Sequence, residues 1–266
     1  MKESLKNVAS KISAADVLIV LAGAGMSADS GIPVYRDKDG LWQKDIAVNG
    51  SAVPISELNT HNAFIENYEL AWELTKDRIQ TISKAEPHSG YINLLSLCEE
   101  KEHFVITTNI DSLFVKSNFN ENRIVEMHGT LEYFQCLTLC EKEIWLMPES
   151  LNDLPPICPN CGGKTRPNIR LFEDWYWLSV RSKDQEKVYS KFLKLVKSEN
   201  RSVAVIEIGA GTKLPYLRQI GERLAKNGWP IIRINPVDEN NEGVISICLE
   251  AKEALSRLKA QGSQLH

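Results

Sequence analysis

Short apolar runs alternate with amphipathic segments along most of this chain. The runs are rich in β-branched residues, which is typical of strands buried on both faces of a parallel sheet. They predict strands at VLIVLA (17–22), HFVIT (103–107), RIVEM (123–127), SVAVIEI (202–208), PIIRI (230–234) and VISI (244–247). Apolar residues at helical spacing predict helices over 1–13, 61–83, from Pro87 onward, and over 183–198, 214–227 and 249–260. This alternation predicts an α/β fold with a doubly wound parallel sheet.

The first predicted strand runs directly into the glycine turn GAG (23–25). With Ala28 it fits the spacing G-x-G-x-x-G/A, which in Rossmann-like sheets seats a pyrophosphate on backbone N–H groups at a helix start. A tight strand-to-helix turn with nothing bound fits the same sequence, so the motif alone leaves both interpretations open. Pro33 ends the helix early, and the long loop that follows carries Tyr35 and Arg36 where they can fold over a ligand.

Polar residues follow two further predicted strands, at the sheet edge where ligands of such folds bind. Asn109 and Asp111 come directly after the strand at 103–107. They can cap a helix, or they can hold an amide-bearing ligand whose N–H the carboxylate accepts. His128 follows the strand at 123–127, where its imidazole can project into the crevice and transfer a proton near neutral pH. A lone histidine is more often a satisfied surface or core residue, but the following Gly129 favours catalysis.

Four of the six cysteines cluster as Cys136-x3-Cys140 and Cys158-x2-Cys161. In an intracellular protein such clustering argues for metal rather than disulfides. Four thiolates would hold zinc in a closed structural site and form a small zinc-ribbon lobe. The alternatives are four reduced thiols without metal and a zinc-ribbon nucleic-acid module, and the few basic residues nearby argue against the nucleic-acid module.

The composition excludes few classes of function. The chain has 266 residues, of which 43% are hydrophobic and 25% charged, and its formal net charge of −4 gives no reason to expect nucleic acid as a partner. No apolar run approaches the length of a membrane span, so we expect no membrane partner and a cytoplasmic location.

The glycine turn and the polar motifs resemble those of the sirtuins, a family of NAD-dependent protein deacylases. GAGMSADSGIPVYR is similar to the sirtuin pattern GAGxSxxSGIPDFR, with Val34 and Tyr35 in place of Asp and Phe. TTNID keeps four of the five positions of TQNID, with Thr108 in place of Gln, and the dipeptide HG at 128–129 is retained. The chain therefore resembles a divergent, bacterial-type sirtuin.

Two later segments extend the resemblance over nearly the whole chain. RPNIRLFEDW resembles the pattern RPxVVxFGE, in which the sirtuin substrate backbone pairs by strand addition; Glu173 and Asp174 replace Gly and Glu. The aromatic residues at 175–177 either wall the acyl-lysine tunnel or belong to the core. GAGT at 209–212 stands where a GTS-type turn is usual, and its backbone N–H groups can receive phosphate.

The resemblance implies the groups that are bound and the residues that bind them. NAD and zinc are the implied cofactors; Asp111 holds the nicotinamide amide, Asn109 lies near the ribose, and His128 is the base. The implied catalytic residues are His128, Asn109 and Asp111. The implied NAD-binding residues are Ala22, Gly23, Ala24, Gly25, Ser27, Ile32, Tyr35, Arg36, Thr108, Asn109, Ile110, Asp111, His128, Gly209, Ala210, Gly211, Thr212, Asn235, Pro236, Cys248 and Leu249. The implied substrate contacts are Ile169, Leu171, Phe172 and Glu173, and the zinc ligands are Cys136, Cys140, Cys158 and Cys161.

The implied reaction is NAD-dependent lysine deacylation, in which the acyl group passes to ADP-ribose and nicotinamide is released. The partners are NAD as co-substrate and an acylated lysine of a protein, or an ADP-ribose acceptor. NAD hydrolysis and mono-ADP-ribosyl transfer stay open, because all three reactions begin with departure of nicotinamide. A non-catalytic NAD or ADP-ribose sensor is a further alternative, although binding alone would not require the Asn, Asp and His together.

The resemblance and the element pattern together predict three parts. We expect an NAD-binding domain built from 1–36, 84–135 and 166–266, a helical insertion at 37–83 and a zinc-binding lobe at 136–165.

Overall fold

The strands and helices follow one another in the order that the apolar pattern predicts. The computed structural model describes residues 2–34, 45–48, 51–237 and 243–262. Its strands are β1 Val17–Ala22, β2 Asp45–Val48, β3 Ser51–Pro54, β4 Glu102–Thr107, β5 Ile124–Glu126, β6 Gly129–Cys136, β7 Ile144–Leu146, β8 Thr165–Ile169, β9 Val203–Ile208, β10 Ile231–Ile234 and β11 Val244–Ile247. Its α-helices are α1 Lys2–Ala14, α2 Gly25–Ala28, α3 His61–Glu66, α4 Tyr68–Lys84, α5 Ser89–Cys98, α6 Leu113–Lys116, α7 Val180–Ser198, α8 Tyr216–Ala225 and α9 Ala251–Gly262.

The central sheet contains all six strands predicted from the apolar runs. Its order is β11-β10-β9-β1-β4-β5, and every neighbouring pair is parallel. This is the order of a doubly wound dinucleotide fold, with the reversal of direction between β1 and β9. The predicted fold class is therefore confirmed.

Strand β1 explains why the first apolar run has no polar member. Leu18, Val20 and Ala22 pack on one face of the sheet, into the core that includes residues of α1, α5 and α9. The alternate residues of β1 pack on the other face with Phe192 of α7 and Leu217 of α8. Because helices cover both faces, each position of β1 is buried, and burial of apolar surface is what stabilises this arrangement.

The strand register brings the carboxyl ends of the six strands to one level. Ala22 pairs with Thr107 on one side and with Ile208 on the other, and Ile208 continues the row through Ile234 to Ile247. On the far side Thr107 pairs with Glu126. The residues that follow these six strand ends therefore leave the sheet along one edge, which is where the predicted motifs lie.

The helical block before α5 contains more regular structure than we predicted. Helices α3 and α4 confirm the predicted helical pattern at 61–83, and α3 begins where the Thr60 hydroxyl accepts the Ala63 N–H. The predicted insertion at 37–83 is not helical throughout, because β2 and β3 form an antiparallel hairpin. The residues between them in sequence are Asn49 and Gly50, a pair typical of two-residue hairpin connections.

A small antiparallel sheet, which the sequence did not predict, lies beside the parallel one. Its order is β7-β6-β8, and Cys136 is the last residue of β6. The Trp72 indole N–H of α4 donates to the Thr165 carbonyl at 2.9 Å, which ties the helical block to β8. No helix of the described residues is long and apolar enough to span a membrane. The boundaries of the three predicted parts stay a prediction.

Candidate functional site

Two glycine turns meet where the strand order reverses. The Gly23 N–H donates to the Ile208 carbonyl at 2.9 Å, and the Gly25 N–H donates to the Gly209 carbonyl at 3.2 Å. A Cβ on Gly25 would lie 2.6 Å from the Gly209 Cα, and Gly209 has a φ of +59°. Only glycine fits at these positions. The two turns thus form one rigid rim, although two of the amides predicted to face phosphate donate within the protein.

Ser27 is the centre of a buried polar cluster behind the first glycine turn. Its hydroxyl donates to Asp111 Oδ2 at 2.6 Å and accepts from Asn109 Nδ2 at 2.9 Å. Asn109 Nδ2 also donates to the Gly23 carbonyl at 3.0 Å, so the amide links the cluster to the rim. The Tyr91 hydroxyl lies 3.0 Å from Ser27 Oγ and completes the cluster. The structure therefore brings the predicted site residue Ser27 together with Asn109 and Asp111, which lie 82 and 84 positions away in sequence.

Asp111 is held as an acceptor in a dry environment. Only 5% of the residue is exposed, and burial raises the pKa of its carboxyl. The Ser27 hydroxyl and the Leu113 N–H, 3.0 Å from Oδ1, oppose this rise by bonding the charged form. A carboxylate offers about four acceptor positions, so these two bonds leave capacity for a ligand N–H.

His128 follows the end of β5 and lies beside the start of α8. Its ring is half-buried and meets the ring of Tyr216, at the start of α8, edge-on at 6.1 Å between centroids. Its carbonyl accepts the Arg170 N–H at 2.8 Å, which connects it to the segment after β8. Gly129 has a φ of +72°, and a Cβ there would lie 2.2 Å from the Asn168 carbonyl oxygen. Glycine is therefore required for the chain to turn from β5 into β6 next to the histidine.

The other NAD-binding residues predicted on the β1 and β4 side lie on the same edge. The Ala22 carbonyl accepts both the Thr107 hydroxyl and the Thr108 N–H, and Ile32 is buried in the core below the loop. Ala24 precedes α2, and Ile110 is partly buried against the core. Tyr35 and Arg36 lie outside the described residues.

The predicted adenosine side is formed by the ends of β9, β10 and β11. Asn235 Nδ2 donates to the Ala210 carbonyl at 3.2 Å, and its Oδ1 accepts the Val237 N–H at 3.1 Å. The remaining predicted residues divide by exposure: Gly211, Thr212, Pro236 and Cys248 are exposed, whereas Leu249 packs against the core. Cys248 is thus accessible at this edge and is not a buried apolar residue.

The predicted substrate segment is an ordered turn fixed by a buried ion pair. Arg166 donates to Asp174 through Nη1 and Nη2, at 2.7 and 3.0 Å, and both side chains are inaccessible. Asp174 also accepts the N–H groups of Leu171 and Tyr176. Glu173 is exposed with a φ of +49°, a conformation that favours glycine. Asp174 is therefore structural, and Glu173 keeps a backbone shape that suits the glycine of the sirtuin pattern.

The residues around Glu173 differ in what they offer a ligand. Ile169 and Leu171 are buried, while Phe172 is partly buried and its N–H donates to the Asn59 carbonyl at 3.1 Å. Trp175 is 91% exposed, so it is not part of the core. Tyr176 is 49% exposed and stacks on the buried ring of His61 at 4.2 Å. The segment thus presents one face of aromatic surface to solvent.

The four clustered cysteines converge on one point. Their sulfur atoms all lie within 4.8 Å of one another, with Cys136–Cys161 at 3.7 Å and Cys140–Cys158 at 3.5 Å. Zinc with Zn–S bonds of about 2.3 Å requires sulfurs about 3.8 Å apart at the corners of a tetrahedron. The Gly162 N–H donates to the Cys158 carbonyl, and Gly162 has a φ of +68°, so the chain makes a tight turn at the second cysteine pair. The donor set fits a closed zinc site.

Two residues of the site escaped the sequence analysis. The His88 Nε2–H donates to the Met26 carbonyl at 2.8 Å, and its Nδ1 accepts the Gly90 N–H, so the ring anchors α2 and caps α5. Tyr91 lies in the helix predicted from Pro87 onward, and the helical pattern says nothing about the role of its hydroxyl. Its hydroxyl partner, Ser27, is remote in sequence, so no local signal points to this bond.

A model of the Sir2 family matches residues 23–199. An NAD-dependent protein deacylase of Aquifex aeolicus is 31% identical over 220 residues, covering 82% of this chain and 83% of that protein. An NAD-dependent protein deacylase of Aeropyrum pernix is 30% identical over 246 residues, covering 90% of this chain and 91% of that protein.

This chain belongs to the Sir2 family. The predicted resemblance to sirtuins is confirmed, and so is the family's fold. A solved structure of a mutant Sir2 homologue in complex with ADP-ribose superimposes with a TM-score of 0.77 at 25% identity, covering 97% of this chain and 96% of that one. Within the substrate segment, the exposed Glu173 stands where the sirtuin pattern has glycine.

Proposed function

We propose that this chain is an NAD-dependent protein lysine deacylase, which transfers the acyl group to ADP-ribose and releases nicotinamide. The Sir2 relatives at 30% and 31% identity are NAD-dependent protein deacylases and align over most of the chain. The observation that carries the proposal is the buried Ser27, Asn109 and Asp111 cluster behind the glycine rim, which presents a fixed carboxylate and amide at the ligand-binding edge.

Asp111 and Asn109 act on the nicotinamide half of NAD in this proposal. The Asp111 carboxylate accepts an N–H of the nicotinamide carboxamide, which orients the leaving group, and Asn109 lies near the ribose. A buried site excludes water and strengthens placed dipoles, so these residues stabilise the positive charge that develops on the ribose as nicotinamide leaves. The acyl oxygen of the substrate lysine then bonds to the ribose carbon that nicotinamide vacates.

His128 is the proposed base. Its imidazole takes a proton from a ribose hydroxyl, and the resulting oxygen attacks the acyl carbon. Water then adds, the bond between the acyl carbon and the lysine nitrogen breaks, and the free lysine amine leaves while the acyl group stays on ADP-ribose. The position of His128 at the end of β5, on the same sheet edge as the Asp111 cluster, supports this role. The imidazole is also the side chain whose ordinary pKa lies nearest neutral pH.

The rest of NAD is proposed to lie along the edge from β4 to β11. Gly23 to Gly25 and Gly209 to Thr212 face the pyrophosphate, while Asn235, Pro236, Cys248 and Leu249 hold the adenosine. The remaining contacts are proposed for Ala22, Ser27, Ile32, Tyr35, Arg36, Thr108, Ile110 and His128. The common level of the six strand ends supports this path.

The acylated lysine of a protein is the proposed second substrate. Ile169, Leu171, Phe172 and Glu173 supply the extended edge to which the substrate backbone adds as a strand, with the acyl-lysine directed toward His128. The ordered turn that Arg166 and Asp174 hold supports this role, because a fixed edge loses little entropy on binding.

Zinc is the proposed metal, held by Cys136, Cys140, Cys158 and Cys161. Four thiolate ligands leave no open coordination position, so the metal closes the lobe and takes no part in the reaction. The sulfur separations of 3.5 and 3.7 Å support the assignment. We place the enzyme in the cytoplasm, where thiols stay reduced and free to bind metal. The division into an NAD-binding domain, a helical insertion and a zinc lobe, at the boundaries given above, belongs to the same proposal.

Product analysis tests the proposed reaction. The purified protein is incubated with NAD, with and without an acetyl-lysine peptide, and the products are identified by mass spectrometry. The proposal expects nicotinamide and O-acetyl-ADP-ribose only when peptide is present. Binding of NAD without turnover on a panel of acyl peptides would instead favour a sensor.

NAD hydrolysis or mono-ADP-ribosyl transfer is the second candidate. Glu173 favours it, because an exposed carboxylate stands in the substrate segment where the sirtuin pattern has glycine. Nicotinamide release at an equal rate without peptide, together with free ADP-ribose or ADP-ribosylated protein, would establish this reaction. Both candidates share the first step, so the Asp111 cluster serves either one.

A further inference from the structure

Tyr91 is a large buried ring that carries one polar atom, its hydroxyl, into the Ser27 cluster. Tyr91 is fully buried on α5, and its ring packs against Phe114 and His88 with centroids 5.0 Å away in each case. A phenylalanine would make the same ring contacts. The hydroxyl, however, lies 3.0 Å from Ser27 Oγ, inside the cluster that contains Asp111.

The proton donors of the cluster can be assigned from the chemistry of its members. A serine hydroxyl has one proton to donate and two lone pairs that accept. An ionised carboxylate only accepts and an amide nitrogen only donates, so Ser27 donates to Asp111 and accepts from Asn109. The second lone pair of Ser27 is left for Tyr91, which must donate. Burial raises the pKa of Tyr91 well above its usual value, which keeps that proton on the phenol.

We propose that Tyr91 is a positioning residue of this site: its hydroxyl donates to Ser27 Oγ and thereby directs the only proton of Ser27 to the Asp111 carboxylate. Hydrogen bonds in a chain polarise one another, so a donor behind Ser27 makes Ser27 a better donor toward Asp111. The chain of Tyr91, Ser27 and Asp111 stabilises the ionised form of the carboxylate in a place where desolvation opposes it.

Two other titratable side chains, Lys116 and His88, lie close to the hydrogen-bonded chain of Tyr91, Ser27 and Asp111. On α6 the ammonium of Lys116 lowers the pKa of Asp111, but it is held by the Ala85 carbonyl at 3.3 Å after α4. On α5 the His88 ring is kept neutral, because burial lowers its pKa and its Nδ1 accepts the Gly90 N–H. The removal of the Tyr91 hydroxyl therefore changes one donor and leaves these charges as they are.

The direct test is the titration of Asp111 in the ligand-free protein. The side-chain carboxyl carbons of aspartate are labelled with ¹³C, and the Asp111 resonance is assigned by its absence in Asp111→Asn. In Tyr91→Phe the titration midpoint should rise by about half a pH unit, since polarisation changes a charge-assisted bond by about 10–30%. Identical midpoints in Tyr91→Phe and the unaltered protein would overturn the proposal.

A matched variant separates this effect from the loss of a buried phenol. The Tyr68 hydroxyl accepts the Thr165 N–H at 3.3 Å, far from the Ser27 cluster, so Tyr68→Phe should leave the Asp111 midpoint unchanged. An equal shift in Tyr68→Phe would contradict the proposal. Ser27→Ala should raise the midpoint at least as far, and Tyr91→Phe should add nothing in that background. An additive shift would show that Tyr91 does not act through Ser27.

The kinetic consequence rests on the proposed function. If Asp111 holds nicotinamide as a carboxylate, the acid limb of kcat/KM for NAD should move to higher pH in Tyr91→Phe by the same amount as the carbon titration. If the carbon titration of Asp111 shifts in Tyr91→Phe but the acid limb of kcat/KM does not, the ionisation of Asp111 does not control the reaction. Absence of turnover in the unaltered protein would refute the proposed function, and the titration would still decide the role of Tyr91.

Discussion

The Arg166 guanidinium and the Asp174 carboxylate form a two-pronged salt bridge that solvent does not reach. Asp174 replaces the glutamate of the sirtuin pattern, yet its oxygens are bound by Arg166 and by two backbone N–H groups of its own turn. The ion pair thus sets the shape of the segment proposed to receive the substrate. Its burial makes it sensitive to any change that leaves one charge alone.

Asp174→Asn should destabilise the protein strongly. The substitution leaves the Arg166 charge buried without its partner, and breaking a buried pair costs about 3–5 kcal/mol of the free energy of unfolding. Urea denaturation measures the loss. Asp184→Asn is the control, because its exposed pair with Lys187 is worth about 0–1 kcal/mol. Equal stabilities of the two variants would show that the buried pair does not hold the turn.

Gly209→Ala should weaken both the fold and NAD binding. A Cβ there would lie 2.4 Å from the Gly25 Cα, so the two glycine turns must separate, at a cost of about 2–4 kcal/mol including the left-handed backbone. Thermal unfolding and NAD titration calorimetry detect the two effects.

Gly228→Ala is the matched control for this change. Gly228 also has a positive φ, of +80°, but a Cβ there meets nothing within 4 Å. We expect about 1–2 kcal/mol of strain and unchanged NAD affinity. If Gly209→Ala bound NAD as well as Gly228→Ala does, the contact between the turns would be unnecessary for the site.

Purified protein should contain one zinc ion per chain. Removal of the metal by a strong chelator should lower Tm by about 10 °C, because metal binding free energy contributes to folding. Cys158→Ser should abolish the metal content, which elemental analysis measures. Cys98→Ala alters a cysteine buried under α9 and should retain the zinc. Metal-free protein of full stability would refute the zinc assignment.

Stability should fall as the pH drops below about 6.5, the usual histidine pKa. Burial lowers the pKa of His61, His88 and His103, so at mildly acidic pH the unfolded chain binds more protons than the folded one. The contribution is present above the unfolded pKa and is lost as the pH falls toward the folded values. Protonation of His88 also removes the acceptor of the Gly90 N–H.

Urea denaturation at pH 7.5 and 5.5 measures this dependence. His88→Gln should lose part of it, because the variant keeps a polar side chain but does not titrate. An identical pH dependence of His88→Gln and the unaltered protein would show that His88 is not among the groups responsible.

The sequence was sufficient for the parallel sheet and for the residues at its edge. Strand β1 is apolar at every position because both faces are covered, and this pattern is visible without a structure. The rule that ligands bind at carboxyl strand ends then placed Asn109, Asp111 and His128 on one edge. The register of the strand ends explains why the rule succeeded.

The buried ion pair, the buried polar residue of β6 and the Tyr91 contact could not be predicted, because they depend on contacts that no local sequence pattern encodes. From the sequence alone Arg166 would be expected at the surface, and its burial depends on the pair that it forms with Asp174. Strand β6 mixes polar and apolar residues. Its Gln135 is buried rather than exposed, because it accepts hydrogen bonds from Asn168 and Leu178. The Tyr91 hydroxyl contacts Ser27 because the fold brings α5 next to α2.

Product analysis of the unaltered protein and His128→Ala side by side, with NAD affinity measured for both, tests whether this chain is a deacylase with His128 as its base. The unaltered protein should release nicotinamide and O-acetyl-ADP-ribose in equal amounts and only with acetyl-lysine peptide. His128→Ala should form no O-acetyl-ADP-ribose while binding NAD with its affinity changed by no more than about threefold, since His128 supplies one of many proposed NAD contacts and the base acts after binding. His103→Asn, a change on the amino-terminal part of β4, should keep the reaction. Full O-acetyl-ADP-ribose formation by His128→Ala, or release of nicotinamide that does not depend on peptide, would contradict the account.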